Sequence, residues 1–211
     1  MEVGISLEIK DKIREEIYLL FCNLISKPDS EIYKELNSDL HIVLWAKYND
    51  HFNEIKVPKN WQGNNLPDLD KWEALWQEYL DINNPGLKLI ESVYKPWTID
   101  ESCGMPFADD KGYVMGDWAH HMLHLYDLLN FEIPEEFSFC PDHLILELEF
   151  MSILIEEADH REQLQFIKQH LDWLDDLVEE AEDIKIDKFY LELLIWLKKF
   201  IKADRNYLKT N

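Results

Sequence analysis

The sequence predicts an all-α protein, and three observations carry this prediction. Apolar residues recur at spacings of three and four along most of the 211 residues, and no segment alternates with period two. Prolines separate these periodic stretches from one another. A chain of this length, 46% hydrophobic, buries an ordinary core as one domain. We therefore expect a single domain over residues 1–211, built from about eight helices.

The helices follow from the apolar spacing in chain order. The first carries Ile13, Ile17, Leu20 and Leu24 on one face. Further helices are predicted near 30–37, 39–52 and 68–82, the last with Asp68 as its N-cap behind Pro67. Four more helices are predicted. Two are the segments 143–157 and 163–181, joined by a short turn near Asp159 and His160. The other two are indicated by the apolar series Val114, Trp118, Met122, Leu125 and Leu129 and by the series Tyr190, Leu194, Leu197 and Ile201.

Five breaks interrupt this pattern, at Pro28, 58–67, 85–86, 96–116 and 134–141. The segment 96–116 is too long for a simple connector between helices, so we expect a structured loop that packs on the surface of the bundle. The segment 134–141 divides the chain into helical halves of about 1–133 and 142–211. As a hinge, it would permit either a monomer or a domain-swapped dimer.

Charge excludes several classes of partner. The 43 acids and 21 bases give a formal net charge of −22, which repels nucleic acids and anionic membrane surfaces. Residues 130–183 hold 17 acids against Arg161 and Lys168. This region is either a solvated face or a docking surface for a cationic partner.

The three cysteines and the longest uncharged stretch bear on the compartment. Cys22, Cys103 and Cys140 are widely separated and form no CxxC pair, which favours a reducing compartment over a disulfide framework. The longest stretch without a charged residue, 17–26, is too short to span a bilayer. We expect a cytoplasmic protein without a membrane-inserted segment.

Two groups of residues resemble metal ligands, but neither predicts a metal site. On a helical wheel Asp117, His120 and His124 share the polar side, and His121 lies at the edge of the apolar stripe. No further ligand from elsewhere in the chain is visible. In a di-iron helical bundle, an ExxH motif points into the core. The single ExxH motif here, Glu157 to His160, points away from the face that Leu148, Met151 and Ile155 would bury. We expect no metal and no cofactor.

Enzymatic motifs are also missing from the sequence, which contains no GxSxG, GxGxxG, HExxH or P-loop pattern. The segment 139–144, Phe-Cys-Pro-Asp-His-Leu, is typical of a helix start. Pro141 suits the first turn, Asp142 complements the helix dipole, and His143 is placed to pair with Glu147 one turn later. We expect no catalytic activity.

The same segment resembles a known family signature. Pro141, Asp142, His143 and Leu144, followed by the Glu-Leu, Phe-Met and Leu residues at 147–148, 150–151 and 154, resemble the motif of the TorD/DmsD/NarJ family of chaperones. Two further segments agree with this family, namely the Glu-Ser-Val-Tyr run at 91–94 with Trp97, and 111–117, which includes Gly112 and Asp117, followed by Tyr126. The resemblance covers roughly residues 89–180.

The resemblance implies a TorD-like helical fold and no catalysis. It implies that the chain binds the twin-arginine signal peptide of a molybdenum-containing oxidoreductase and holds it until the cofactor is inserted and export begins. By matching positions, Asp142 and His143, with Pro141 and Glu147, would bind this peptide, and Tyr94, Trp97, Gly112, Asp117 and Tyr126 would be supporting motif residues. The chain departs from the family at Phe139 and Cys140, where an acid and an extra proline are common, so the role of that acid does not carry over.

The composition is compatible with such a partner, because a twin-arginine peptide needs carboxylates beside an apolar groove. The alternative is a generic acidic helical protein that regulates or binds some other basic or amphipathic helix.

Overall fold

The computed structural model describes residues 2–210, apart from 39, 53–54, 63–64 and 84–85. The described residues contain helices and no β-strand, so the all-α prediction is confirmed for this part of the chain. The helices are α1 (Glu2–Ile25), α2 (Ser30–Asn37), α3 (Leu40–His51), α4 (Leu69–Tyr79), the single turn α5 (Glu91–Tyr94), α6 (Asp117–Leu129), α7 (Leu144–Glu157), α8 (His160–His170), α9 (Leu174–Asp183) and α10 (Lys188–Leu208).

The predicted start of the helix at 39–52 and the break at Pro85 both touch residues outside the described part. The predicted helix start at Asp68 and the predicted turn near Asp159 are both confirmed. Asp68 accepts a hydrogen bond from the Lys71 amide at the beginning of α4. Asp159 forms a capping box with Glu162 at the beginning of α8, which places the turn between α7 and α8 where the sequence predicts it.

The single helix predicted over 163–181 is wrong, because the chain breaks between α8 and α9. The Lys95 ammonium donates to the carbonyl of Gln169 (2.6 Å), and the Trp173 indole donates to the carbonyl of His170 (2.9 Å). These side chains satisfy the last carbonyls of α8, so the helix ends there and a new one begins at Leu174.

The central helix also begins later than the apolar series predicts. Val114 lies outside α6, which starts at Asp117. Met115 has a φ of 58°, and a side chain at Gly116 would place its Cβ 2.3 Å from the Trp97 carbonyl oxygen. The backbone before Asp117 is therefore fixed by the preceding loop and does not continue the helix.

The core is built on α1, which packs along α7 and also against α3, while α10 packs against α8 and α9. Aromatic rings fill the space between α1, α3 and α10. Phe21 meets Trp196 edge to face at 5.1 Å, and Trp45 lies 4.9 Å from Trp196. No described helix contains a stretch long and apolar enough to cross a bilayer.

A buried ion pair fastens α1 to α10. Arg14 Nε contacts Asp204 Oδ1 at 2.5 Å, and neither side chain is exposed to solvent. Tyr18 donates to the same carboxylate at 2.8 Å, and Arg14 also donates to Gln163 of α8 at 2.8 Å. The charges are therefore hydrogen-bonded as well as paired, as buried charges require.

The loop over 96–116 is structured, as predicted. The beginning and the end of the loop lie side by side. The Trp97 amide donates to the Asp110 carbonyl at 3.0 Å, and the Thr98 amide donates to the Ala108 carbonyl at 3.1 Å. The Trp97 and Phe107 rings pack edge to face at 5.0 Å. This loop connects α5 to the start of α6.

A candidate peptide-binding groove above a buried polar hub

The residues predicted to bind a peptide lie at the start of α7, and all of them are buried. Asp142 and Glu147 are 0% exposed and His143 is 3% exposed, and Pro141 is buried as well. None of these side chains contacts solvent freely in this conformation. Their assignment to peptide binding stays a prediction, and the geometry instead shows what each of them holds in place.

Asp142 joins the start of α7 to α5. Its carboxylate accepts hydrogen bonds from the Ser92 amide (2.7 Å) and the Ser92 hydroxyl, and the Asp142 carbonyl accepts from the Glu91 amide at 3.0 Å. Burial raises the pKa of Asp142, while the Ser92 hydrogen bonds oppose this shift. The carboxylate bonds to the first turn of α5, and its effect on the dipole of α7 stays a prediction.

His143 is the N-cap of α7. Its Nδ1 accepts a hydrogen bond from the Ile145 amide at 3.2 Å, and its ring lies 4.9 Å from the Phe137 ring. Burial lowers the pKa of His143 to about 3, so the imidazole is neutral near pH 7. The predicted pairing with the Glu147 side chain is therefore replaced by a capping interaction.

Below these residues lies a cluster that we term the buried hub, consisting of Glu91, Lys95, Glu147, His170 and Trp173. Glu91 Oε1 accepts from the Lys95 ammonium at 2.7 Å, and Glu91 Oε2 lies 2.7 Å from His170 Nδ1. On the far side of its ring, His170 Nε2 is 2.7 Å from Nδ1 of His121 on α6. A chain of polar contacts thus connects α5, α8 and α6.

Glu147 brings α7 into the hub. Its Oε2 accepts from the Trp173 indole at 3.2 Å, whereas Oε1 has no hydrogen-bond donor among the described residues. Burial, together with the negative charges of Glu91 and Asp142, raises the pKa of Glu147 well above its ordinary value. The Glu147 carboxyl group is therefore more easily protonated than that of an exposed glutamate.

The supporting motif residues hold the surroundings of the hub. Tyr94 stacks on the Trp173 ring at 5.1 Å, and the Tyr126 hydroxyl donates to the Pro141 carbonyl at 2.8 Å. These two contacts attach α5 to the α8–α9 break and α6 to the segment before α7. They are packing and hydrogen-bonding roles, and both rings are buried.

Trp97 and Gly112 belong to the loop before α6, and Asp117 is the first residue of α6. Asp117 Oδ2 accepts from the Thr98 hydroxyl at 2.6 Å, which fastens this loop to the first turn of α6. Gly112 has a φ of 96°, a left-handed conformation that favours glycine, and its amide donates to the Val93 carbonyl at 2.9 Å. The three residues shape the loop and lie apart from the hub.

The histidines of α6 separate as the helical wheel indicates. His120 and His124 are exposed, and His121 points inward to the hub. The Asp117 carboxylate accepts a hydrogen bond from the Thr98 hydroxyl. In the part of the chain that the structure describes, the group with spacing suited to a metal ion is instead Glu91, Glu147 and His170, whose ligand atoms lie within 4.8 Å of one another. Sequence reasoning missed this group because its members are 56 and 23 positions apart.

An apolar groove of about 360 Å³ opens above the hub between α6, α7 and α8. Leu128 at its edge is 62% exposed. Two glutamates, Glu157 and Glu162, stand on the rim and are exposed. The rest of the lining is mostly apolar or aromatic and includes Leu125, Leu129, Phe150, Leu154 and Phe166, with His121 reaching in from the hub.

Two other cavities provide a comparison with this groove. The larger, of about 820 Å³, lies between α3, residues 55–62 and α10 and is lined by Lys56, Lys59, Lys188 and Lys199, which would repel arginines. The other, of about 270 Å³, lies between α1, α2 and α3, with Leu40 at its edge.

Comparison with known proteins identifies the family. The model of the family described as nitrate reductase delta subunit matches residues 59–179, more than half of the chain. This range contains the buried hub and every residue that lines the groove between α6, α7 and α8. No curated protein and no solved structure matched the chain. The chain thus belongs to the nitrate reductase delta subunit family, the NarJ/TorD-type chaperones that take part in the maturation of molybdenum enzymes.

Proposed function

We propose that this chaperone binds the twin-arginine signal peptide of a molybdenum-containing oxidoreductase and retains it until cofactor insertion is complete. The apolar segment of the peptide lies in the groove between α6, α7 and α8, and the two arginines contact carboxylates on the rim. The observation that carries the proposal is this groove itself, which combines exposed apolar surface with acidic rim residues inside the range that the family model matches.

The groove offers contacts to the apolar segment. Leu128 is largely exposed, and Leu125, Leu129 and Leu154 are partly exposed around the buried rings of Phe150 and Phe166. Helical or extended peptides commonly bind such a groove through a few apolar anchors. Covering the exposed part of Leu128 alone contributes about 1 to 2 kcal/mol to binding.

The rim offers contacts to the arginines. Glu157 forms no ion pair with the described residues, and Glu162 uses one oxygen for the Asp159 amide, so carboxylate oxygens are left for a ligand. Exposed acidic side chains of α9, including Glu179 and Glu182, extend the negative field beyond the groove. A planar guanidinium binds a carboxylate through two parallel hydrogen bonds, which an ammonium cannot do.

The buried hub gives the motif residues a role that does not require contact with the peptide. The groove is formed by α6, α7 and α8, and the hub is connected to all three: it contains Glu147 of α7 and His170 of α8, and His170 contacts His121 of α6. Asp142 and His143 fix the start of α7. We propose that these are positioning residues that set the spacing of the groove walls.

The test is titration calorimetry with the signal peptide of the molybdenum oxidoreductase from the same genome. We expect Leu128→Gln to weaken binding about 5- to 30-fold, since the variant removes an apolar anchor without adding charge. Leu40→Gln is the matched control, because Leu40 is 58% exposed and lies at the edge of the α1–α3 cavity. Unchanged binding by Leu128→Gln, with weakened binding by Leu40→Gln, would move the proposed site to that cavity.

A second experiment tests the contribution of the two arginines of the peptide. Replacing both with lysine in the peptide keeps the charge and removes the planar fork, and we expect weaker binding. A scrambled peptide of equal charge is the control for non-specific attraction. Equal affinity for the scrambled peptide would contradict signal-peptide recognition and would favour the alternative of a generic acidic protein that binds basic helices.

A further inference from the structure

The three carboxylate and imidazole groups of the buried hub point toward one another. Glu91 on α5, Glu147 on α7 and His170 on α8 are each 0% exposed, and one ligand atom from each lies within 4.8 Å of the others. Residues from three different helices converge here. Each of these three side chains also has a second polar atom, which points away from the cluster. The contacts of these outer atoms determine which atom of each side chain faces inward.

The outer atoms are held by donors and acceptors around the cluster. Lys95 donates to Glu91 Oε1 (2.7 Å), and the Trp173 indole donates to Glu147 Oε2 (3.2 Å). His121 Nδ1 lies 2.7 Å from His170 Nε2. The atoms that face inward are Glu147 Oε1 and the pair Glu91 Oε2 and His170 Nδ1, which contact each other at 2.7 Å.

Such an arrangement is typical of metal sites, in which surrounding hydrogen bonds orient each ligand and fix the histidine tautomer. His170 would coordinate through Nδ1 and donate its Nε2 proton to His121. The 2.7 Å separation of His170 Nε2 and His121 Nδ1 is a hydrogen-bond distance, which allows this donation.

Glu147 Oε1 is the second observation that points to a ligand. It is fully buried, and the described residues provide it with no hydrogen-bond donor. Buried carboxylate oxygens are rarely left without a partner. Either a proton shared with Glu91 or a bound cation completes this atom.

The charge of the cluster and the distances between its ligand atoms are both compatible with a divalent cation. Lys95 lies on the outer oxygen of Glu91 and is balanced by Asp172 at 2.5 Å, so the two glutamates would neutralise a double charge. Ligand atoms around such an ion are about 2.9 to 3.4 Å apart for bonds near 2.1 Å. The 2.7 Å separation of Glu91 Oε2 and His170 Nδ1 needs to widen by only a few tenths of an ångström.

We infer that Glu91, Glu147 and His170 form a structural site for a divalent first-row transition metal, such as Zn²⁺, that ties α5, α7 and α8 together beneath the groove. An imidazole nitrogen with two carboxylates suits Zn²⁺, Mn²⁺, Fe²⁺ or Co²⁺ better than Mg²⁺ or Ca²⁺, which prefer all-oxygen sites. The inference is independent of whether the groove binds a signal peptide.

The experiment uses the full chain stripped with a chelator and then titrated with Zn²⁺ by calorimetry and with Co²⁺ by visible absorption. We expect one ion per chain, a Co²⁺ spectrum with nitrogen and oxygen ligands, and a rise in the melting temperature on adding Zn²⁺. Glu147→Gln should weaken Zn²⁺ binding at least 100-fold. This variant keeps the shape of a neutral Glu147, so we expect it to fold, which circular dichroism verifies.

Controls separate this site from the exposed histidines and thiol. The double variant His120→Ala with His124→Ala and the single variant Cys103→Ser should bind Zn²⁺ as the wild type does. Trp173→Phe, which removes the indole donor to Glu147, should weaken binding by about 10- to 100-fold. The inference is overturned if the wild type binds no ion, if Glu147→Gln binds as tightly as the wild type, or if the His120 and His124 variant loses the ion.

Discussion

The burial of His143 has a measurable consequence for the pH dependence of folding. The folded chain keeps this imidazole neutral, because burial lowers its pKa to about 3, whereas in the unfolded chain the pKa is near 6.5. Between these values the unfolded chain binds more protons than the folded chain. Stability contributed by the neutral ring is therefore present above pH 6.5 and is lost as the pH falls.

The perturbation that isolates this effect is His143→Asn. An asparagine oxygen takes the place of Nδ1 and accepts from the Ile145 amide, and asparagine is a favourable N-cap. Asparagine does not titrate. The variant loses the ring contact with Phe137, and this loss lowers its stability equally at every pH.

The magnitude follows from the two pKa values. From pH 7.5 to pH 5.0 the unfolded His143 becomes almost fully protonated, which costs the wild type about 2 kcal/mol of stability that the variant does not lose. Contributions of all other titrating groups cancel when the two proteins are compared. The lower limit of pH 5.0 keeps both proteins above the isoelectric point of about 4.6.

The assay is urea denaturation of both proteins at the two pH values. We expect the wild type to lose about 2 kcal/mol more than His143→Asn between pH 7.5 and pH 5.0. A difference below about 0.5 kcal/mol would refute the reasoning, because it would mean that His143 titrates normally in the folded protein. That result would return His143 to the role of an accessible peptide contact.

Two further predictions concern buried ion pairs. Asp204→Asn should destabilise the chain by about 3 to 5 kcal/mol in urea denaturation, because Arg14 is left buried without a counter-charge, whereas the exposed-pair control Asp176→Asn should cost less than about 1 kcal/mol. Similar losses for the two variants would contradict the burial of Arg14. Lys95→Met should cost about 3 to 5 kcal/mol and speed amide hydrogen exchange in α5, since Glu91 loses its ammonium partner. A variant as stable as the wild type would show that this pair does not hold the hub.

The sequence predicted most of the helices because their apolar spacing and caps are local signals. Asp68 is an example, since this cap bonds to an amide only three positions away. The break between α8 and α9 was not predictable in this way. It depends on Lys95, which reaches the end of α8 from 74 positions earlier in the chain.

The candidate site was predicted in part. The motif around Asp142 and His143 correctly indicated a helix start, since His143 is the N-cap of α7. Peptide binding by these side chains stays a prediction. Their partners are distant in sequence, as Ser92 is from Asp142, and only the folded chain brings them together. The spacing of Glu91 and Lys95, four positions apart, was the one local signal of the hub, and it fits an ordinary helical ion pair equally well.

The groove left no clear signal in the sequence, because it is formed by residues from three helices. Leu128 belongs to an apolar helix, and nothing in its immediate sequence distinguishes it from a core residue. Its exposure follows from how α6 packs against α7 and α8, which is a property of the tertiary structure.

The most direct test of the central claim is site-specific photo-crosslinking of the chaperone to its client signal peptide. A photoreactive amino acid replaces Leu128 in one protein and Leu40 in the other, and mass spectrometry identifies the crosslinked peptide residues. We predict crosslinks from position 128 to the apolar segment that follows the two arginines, and none above background from position 40. Crosslinks from position 40 with none from position 128 would contradict a binding site in the groove between α6, α7 and α8.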